Sequence, residues 1–508
     1  MKVKVKKMKE KNSAIFMQHA ILSLLILLLV PSSSSARLNS DESFDVRQHL
    51  STVTRYGAVK DIVDNSFVPE NIPDGCTPVH LNLVARHGTR APTKKRIKEM
   101  DRLATSLQAL VANAKERKLS LDNIPAWVFE WTSPWKGRVK GGELIVKGEE
   151  ELYDLGIRIR GKYPNLLNED YHPDVHTIKA TQVPRASASA VAFALGLFSG
   201  RGSLGPGKHR AFAVSTESRA SDLLLRFFDT CQSYKNYRKN EEPAVEKLKE
   251  PIFDEITRDL SGRYGLNFTR QHISSLWFLC KQEASLLDIT NQACGLFNPT
   301  ELSLLEWTDD LEAFVLKGYG NSVNYRMGLP LLKDVVESME LAIKANEEAL
   351  PSGSYEKARL RFAHAETVVP FSCLLGLFLQ GSDYNLIRKE KPLELPPKPP
   401  QSRTWRGSAV APFAGNNMLV LYSCPARKSK YFVHVLHNEH PVPLPGCNNS
   451  DFCPFDVFKE RILEPHMKDD YQAICTVKDV VPQSKLSSLF GWLFSWQSDE
   501  MESDMVDL

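Results

Sequence analysis

In the stretch LVARHGTRAPTKKR, residues 83–96, His87 stands between Arg86 and Arg90 just where an apolar run ends. An unprotonated imidazole flanked by fixed cations can attack phosphorus, and guanidinium forks match the oxygens of a phosphoryl group. Gly88 permits a sharp turn and a close backbone approach to a ligand. Guanidinium charge can stabilise the group in transfer, so the chemistry calls for no metal and no organic cofactor, and its covalent product is a phosphohistidine. The expected ligand is a small phosphorylated molecule. Two further places carry matching chemistry. Arg185, in TQVPRASASA, precedes an apolar helical pattern, and His364 and Glu366, in HAET, follow the run RLRFA. Breaking a phosphate ester of an alcohol expels a poor leaving alkoxide, so a positioned acid must supply a proton, and Glu366 can do so. A second His-x-Glu, His437 to Glu439, runs into proline turns instead, whereas His364 and Glu366 lie where a strand passes into a helix.

These groups need a scaffold that gathers them. Short runs rich in apolar or β-branched residues at 79–85, 175–183, 359–365, 417–423 and 431–438 read as strands. Segments 94–115, 141–163, 185–198 and 367–378 read as helices. Strand followed by helix, repeated, predicts an α/β domain with a mostly parallel sheet flanked by helices. In such sheets ligands bind at the carboxyl ends of the strands, which is where Arg86, His87, Arg185 and His364 fall. Strand signals fade between 218 and 350, which predicts an inserted, mainly α-helical domain between α/β segments 37–217 and 351–482. The proline-dense stretch at 390–403 predicts an extended surface loop.

Lysines followed by an apolar run and small residues read as a secretory signal over residues 1–36, with cleavage after Ala36. The apolar core is short for the roughly 20 residues that a membrane span needs, so no span is expected in the mature chain. The segment holds six lysines against one glutamate, so its removal turns the formal charge of the 508-residue chain from +3 to about −2. That leaves no electrostatic footprint for nucleic acid. The chain then enters an oxidising lumen, where its nine cysteines should pair and leave one over; Cys373, in an apolar segment, is the expected odd one. Asn267 and Asn448 head glycosylation sequons, which predicts surface loops. The residues after 482 combine an aromatic cluster too short to span a membrane with an acidic end. The destination is the secretory pathway: endoplasmic reticulum lumen, vacuole or exterior.

The motif ARHGTRAPT resembles the signature of the histidine phosphatase superfamily, in its branch of histidine acid phosphatases and phytases. HAET resembles the His-Ala-Glu version found in multiple inositol polyphosphate phosphatases. The resemblance covers roughly residues 70–480 and implies a phosphoglycerate mutase-like α/β fold. It makes His87 the nucleophile, surrounds the phosphate with Arg86, Arg90, Arg185 and His364, and gives Glu366 the donor role. The segment LLLRFFDTCQSY also looks like the inositol polyphosphate branch, and its apolar residues read as a structural helical face. The family's pairing scheme would join Cys280 to Cys294, Cys447 to Cys453, Cys76 to Cys424 and Cys231 to Cys475. Implied substrates are phytate and lower inositol phosphates, with 2,3-bisphosphoglycerate as a second. Lys94, Lys95 and Arg96 read equally well as a specificity patch and as a solvated helix start. A broad-specificity lumenal acid phosphatase is the nearest alternative. A mutase would return the phosphate to an acceptor, and the secretory signal argues against its cytosolic role; a noncatalytic phosphate binder would be expected to lack His87 or Glu366.

Overall fold

The computed structural model describes residues 44–59, 72–379 and 403–476, together with Asp383 and Pro399. The secretory signal, nearly all of the proline-dense stretch and the segment after 482 lie outside the described residues. The described residues from Val46 onward form one compact unit.

Among the described residues seven strands form one sheet in the order β2-β3-β1-β4-β5-β6, with β7 also paired to β5. They are β1 (Thr77–Arg86), β2 (His176–Ala180), β3 (Ala358–Ala363), β4 (Asn416–Ser423), β5 (Tyr431–His437), β6 (His440–Pro441) and β7 (Phe452–Pro454). The α/β class matches the expectation from sequence, but the sheet is mixed rather than mostly parallel. Only β1 with β3 and β2 with β3 run parallel, and the β4 side is antiparallel throughout. Between β4 and β5 the cause is local: the turn spans residues 424–430, and so short a connection can join only antiparallel neighbours.

Alternation along β1 sends its side chains to two cores. Leu81, Leu83 and Ala85 face a cluster containing helices α2 (Val146–Lys162) and α3 (Pro184–Leu197). Val84 faces another cluster, with α7 (Leu329–Glu347) and α8 (Ala365–Leu374). A third cluster is helical, built from α1 (Lys94–Glu116), α4 (Gln232–Tyr264), α5 (Arg270–Gln282) and α6 (Pro299–Lys317). Among the described residues no helix is long and apolar enough to cross a membrane.

Two of the expected helices are shorter than sequence suggests. The segment read as helical from 141 starts only at Val146, because Gly142 takes φ +79° and residues 142–145 bond back to the loop after β1, Gly142 N–H to Pro92 O at 3.0 Å and Ile145 N–H to Thr89 O at 3.1 Å. The helix after β3 ends at Leu374 rather than near Phe378. The four disulfides are Cys76–Cys424, Cys231–Cys475, Cys280–Cys294 and Cys447–Cys453, and Cys373 is buried and unpaired. Asn267 and Asn448 are exposed.

Candidate functional site

Strand register assembles the site. In the parallel pair, Arg86 at the end of β1 lies opposite Ala363 at the end of β3. The next residues, His87 and His364, therefore leave the sheet side by side, their ring centroids 5.5 Å apart. Ala180 closes β2 opposite Phe362, which puts Thr181 at the same edge. Helices α3 and α8 begin just beyond, so two helix N-termini add partial positive charge where an anion would sit.

Arg86 is fixed rather than mobile. Its Nη1 donates to Ala411 O at 2.8 Å and to Thr52 O, and its guanidinium lies 4.4 Å from the Phe413 ring centroid. Burial, with Arg90 and Arg185 near, pulls its pKa down to about 9, which leaves it cationic at neutral pH. Arg90 is half-buried, bonded to Ala91 O at 3.0 Å and bridged to Leu144. Arg185 opens α3 and is buried.

His87 is held in a single tautomer. Its Nδ1 lies 2.8 Å from Gly88 O, and a carbonyl can only accept, so Nδ1 carries the proton and Nε2 keeps its lone pair. Burial lowers the pKa of the ring well below the usual histidine range, and Arg185, Arg86, His364 and Arg90 lower it further. The ring is a neutral nucleophile amid cations. His364 is tuned the same way, by burial first and then by Arg185, Arg226, Arg86 and Arg90. Its Nε2 accepts from Arg226 Nη1 at 3.0 Å and meets Thr181 Oγ1 at 3.0 Å. The proton of the neutral ring is thereby placed on Nδ1, a buried donor with no hydrogen-bond partner among the described residues. Such a donor suits a phosphate oxygen.

Glu366 sits in the first turn of α8, buried, with Lys317 Nζ 2.9 Å from Oε1. Burial alone would raise the carboxyl pKa; Lys317, with help from Arg238, outweighs it and holds the group below the usual carboxylate value.

The six residues singled out from sequence thus come together where β1 and β3 end. Sequence reading missed Arg226 and Lys317. The segment taken as a plain apolar face is mostly turn before a short helix at Phe227–Thr230, and its fully buried Arg226 reaches His364. The signal was present in LLLRFFD: a lone arginine among large apolar residues needs a buried partner, and Asp229 accepts from its Nε at 2.6 Å. His437 and Glu439 are engaged elsewhere, His437 with Asn417 and Ala409 O, Glu439 with Arg158 and Tyr56. Of the basic run, Arg96 pairs with Glu99 at 2.7 Å and lies over Phe278, while Lys94 and Lys95 are exposed.

The profile of the histidine phosphatase superfamily (branch 2) matches residues 79–438. The chain belongs to this superfamily. A relative in Dictyostelium discoideum, named multiple inositol polyphosphate phosphatase 1, is 27% identical over 456 residues, covering 80% of this chain and 69% of the relative. Among solved structures, the phytase from D. castellii superposes with TM-score 0.62 at 19% identity over 88% of this chain and 92% of that one. A Bifidobacterium longum multiple inositol polyphosphate phosphatase, in complex with inositol hexasulfate, gives TM-score 0.60 at 18% identity over 82% and 98%.

In this histidine phosphatase the loop bearing His87 leans on a glycine contact. A Cβ at Gly148, in the first turn of α2, would lie 2.2 Å from Thr89 O and 2.6 Å from Thr89 N. Thr89 is also tied to Glu151 through its N–H at 2.8 Å. Gly148→Ala is therefore expected to push the loop off α2, lowering stability by about 1–3 kcal/mol and reducing turnover with it. Urea unfolding and a phosphatase assay check this, and wild-type values in both would contradict the contact's importance.

Proposed function

We propose that this histidine phosphatase hydrolyses inositol polyphosphates, phytate and its lower phosphates foremost, through a phosphohistidine at His87. The observation that carries the reading is the state of His87: a neutral ring with Nε2 unprotonated, beside three guanidinium groups and the Nδ1 donor of His364. In the reading, Arg86, Arg90, Arg185 and His364 hold the scissile phosphate, His87 attacks in line, and Glu366 protonates the leaving oxygen. Glu366 then takes a proton from the water that releases phosphate. The ring substrate follows from the relatives' names, and the cationic floor fits a densely charged ligand. The four disulfides support folding in an oxidising compartment of the secretory pathway.

Incubation of purified protein with phytate, with products separated by anion exchange over time, tests the reading. Successively lower inositol phosphates with matching inorganic phosphate are expected; no phosphate release between acid and neutral pH would overturn it. Phosphate passed to an acceptor would indicate a mutase instead.

A pH dependence follows from the same ring. Since His87 resists protonation well below 6.5, kcat/KM at pH 5 is expected to equal or exceed that at pH 7. An acid limb with a midpoint near 6.5 would contradict it. Stability runs the other way. The unfolded chain protonates both histidines near 6.5 while the folded one does not, so their contribution is intact above that pH and is lost progressively below it.

A further inference from the structure

Lys317 ends α6, in the helical stretch far from the sheet in sequence, yet its ammonium meets Glu366 in the first turn of α8. Both residues are nearly excluded from water, at 4% and 2% exposure, so the pair is screened far less than a surface ion pair. Other charged or titratable groups also act on Glu366: Arg238 and Tyr234 from α4, Arg226 from the turn ahead of Phe227–Thr230, and Arg86 from β1. Arg238 is already bonded to Glu242 at 2.7 Å and Arg226 to Asp229 at 2.6 Å. The second carboxylate near Lys317, Glu312, is tied to Lys249. Lys317 Nζ meets Glu366 at 2.9 Å, and the pairing brings the helical segment into the acid-base step.

We propose that Lys317 is a positioning residue that aims Glu366 and keeps its carboxylate ionised in the free site, so that the proton given to the leaving oxygen arrives on the substrate's monoanionic phosphate. This rests on the phosphatase reading above. In the step, a lone pair of His87 Nε2 forms the N–P bond as the bond from phosphorus to the ester oxygen breaks. The proton on a nonbridging phosphate oxygen passes to the Glu366 carboxylate and from it to the departing alkoxide, giving the alcohol. In the second half, water attacks phosphorus, its proton goes to the carboxylate, and the P–N electron pair returns to His87. Glu366 then releases the proton to solvent, which restores the starting charge.

The expected signature is in the pH profile. With phytate, wild-type kcat/KM should fall as pH rises past the second ionisation of a phosphate monoester, near about 6. Lys317→Met leaves a buried carboxyl without its ion-pair partner, so Glu366 carries its own proton and the alkaline limb should move up by about one unit or more. Lys317→Arg should restore the wild-type profile, and Lys317→Met should cause no shift in an E366Q background. A Lys317→Met profile parallel to wild type would overturn the proposal. Difference infrared spectra of wild type minus Glu366→Gln, without substrate at pH 5, test the same point should Lys317→Met not fold. An ionised carboxylate band is expected, and a protonated carbonyl band would overturn the proposal. The spectra need no turnover, so a failed phytate assay with an ionised carboxylate would count against the phosphatase reading and not against the pair.

Discussion

His87→Ala is expected to lower phytate turnover by at least about 10⁴-fold, because loss of a covalent nucleophile removes the reaction path and not a mere contact. What remains should be the electrostatic part, since Arg86 keeps its bonds to Ala411 O and Thr52 O and its place against Phe413 whether or not the imidazole is present. The variant should thus still bind inorganic phosphate while failing to form a phosphoenzyme. Rapid quench of the wild type with labelled substrate should trap an acid-labile, base-stable adduct, and His87→Ala should trap none. Wild-type turnover by a folded His87→Ala protein would sink the scheme, as would label recovered on a serine.

The parts of this site that sequence made legible are those in which a few neighbouring residues settle both structure and chemistry. An apolar run ending in Arg86-His87-Gly88 states a strand, its end and its reactive group in three positions, and the run before His364 does the same. Once both strands lie in one sheet, parallel register does the rest, since Arg86 opposite Ala363 leaves the two imidazoles no choice but to be neighbours. Less legible was whatever depends on distant segments meeting. The antiparallel β4–β5 pair follows from the short turn after β4, but β4 also runs antiparallel to β1, and a propensity for strand carries no direction. The late start of α2 follows from bonds that residues 142–145 make to the loop after β1, over which the helical pattern reads straight through. Arg226 and Lys317 meet His364 and Glu366 from 138 and 49 residues away; the lone arginine in LLLRFFD was a local sign of the first, and Lys317 has no motif around it. The disulfide pairs were stated in advance only through family resemblance, because spacing alone leaves many pairings open.

Glu366→Gln separates the two halves of the mechanism. The amide fills the same volume but cannot carry a proton to an alkoxide, so hydrolysis of an inositol phosphate should slow by about 10²–10⁴-fold. Nitrophenolate leaves without a proton, so with p-nitrophenyl phosphate the first step should be nearly unaffected. The second step still requires a base for water, and the phosphohistidine should accumulate: a rapid burst of nitrophenol equal to the enzyme concentration, then slow turnover. The same change removes the carboxylate from Lys317 and leaves a buried ammonium without its ion-pair partner at 2.9 Å, which should cost about 3–5 kcal/mol of stability. Equal losses on both substrates with no burst would mean that Glu366 shapes the pocket without moving a proton. A burst with unchanged stability would keep the proton transfer but deny the pair its energetic weight, so kinetics and unfolding together assign the two roles of one side chain.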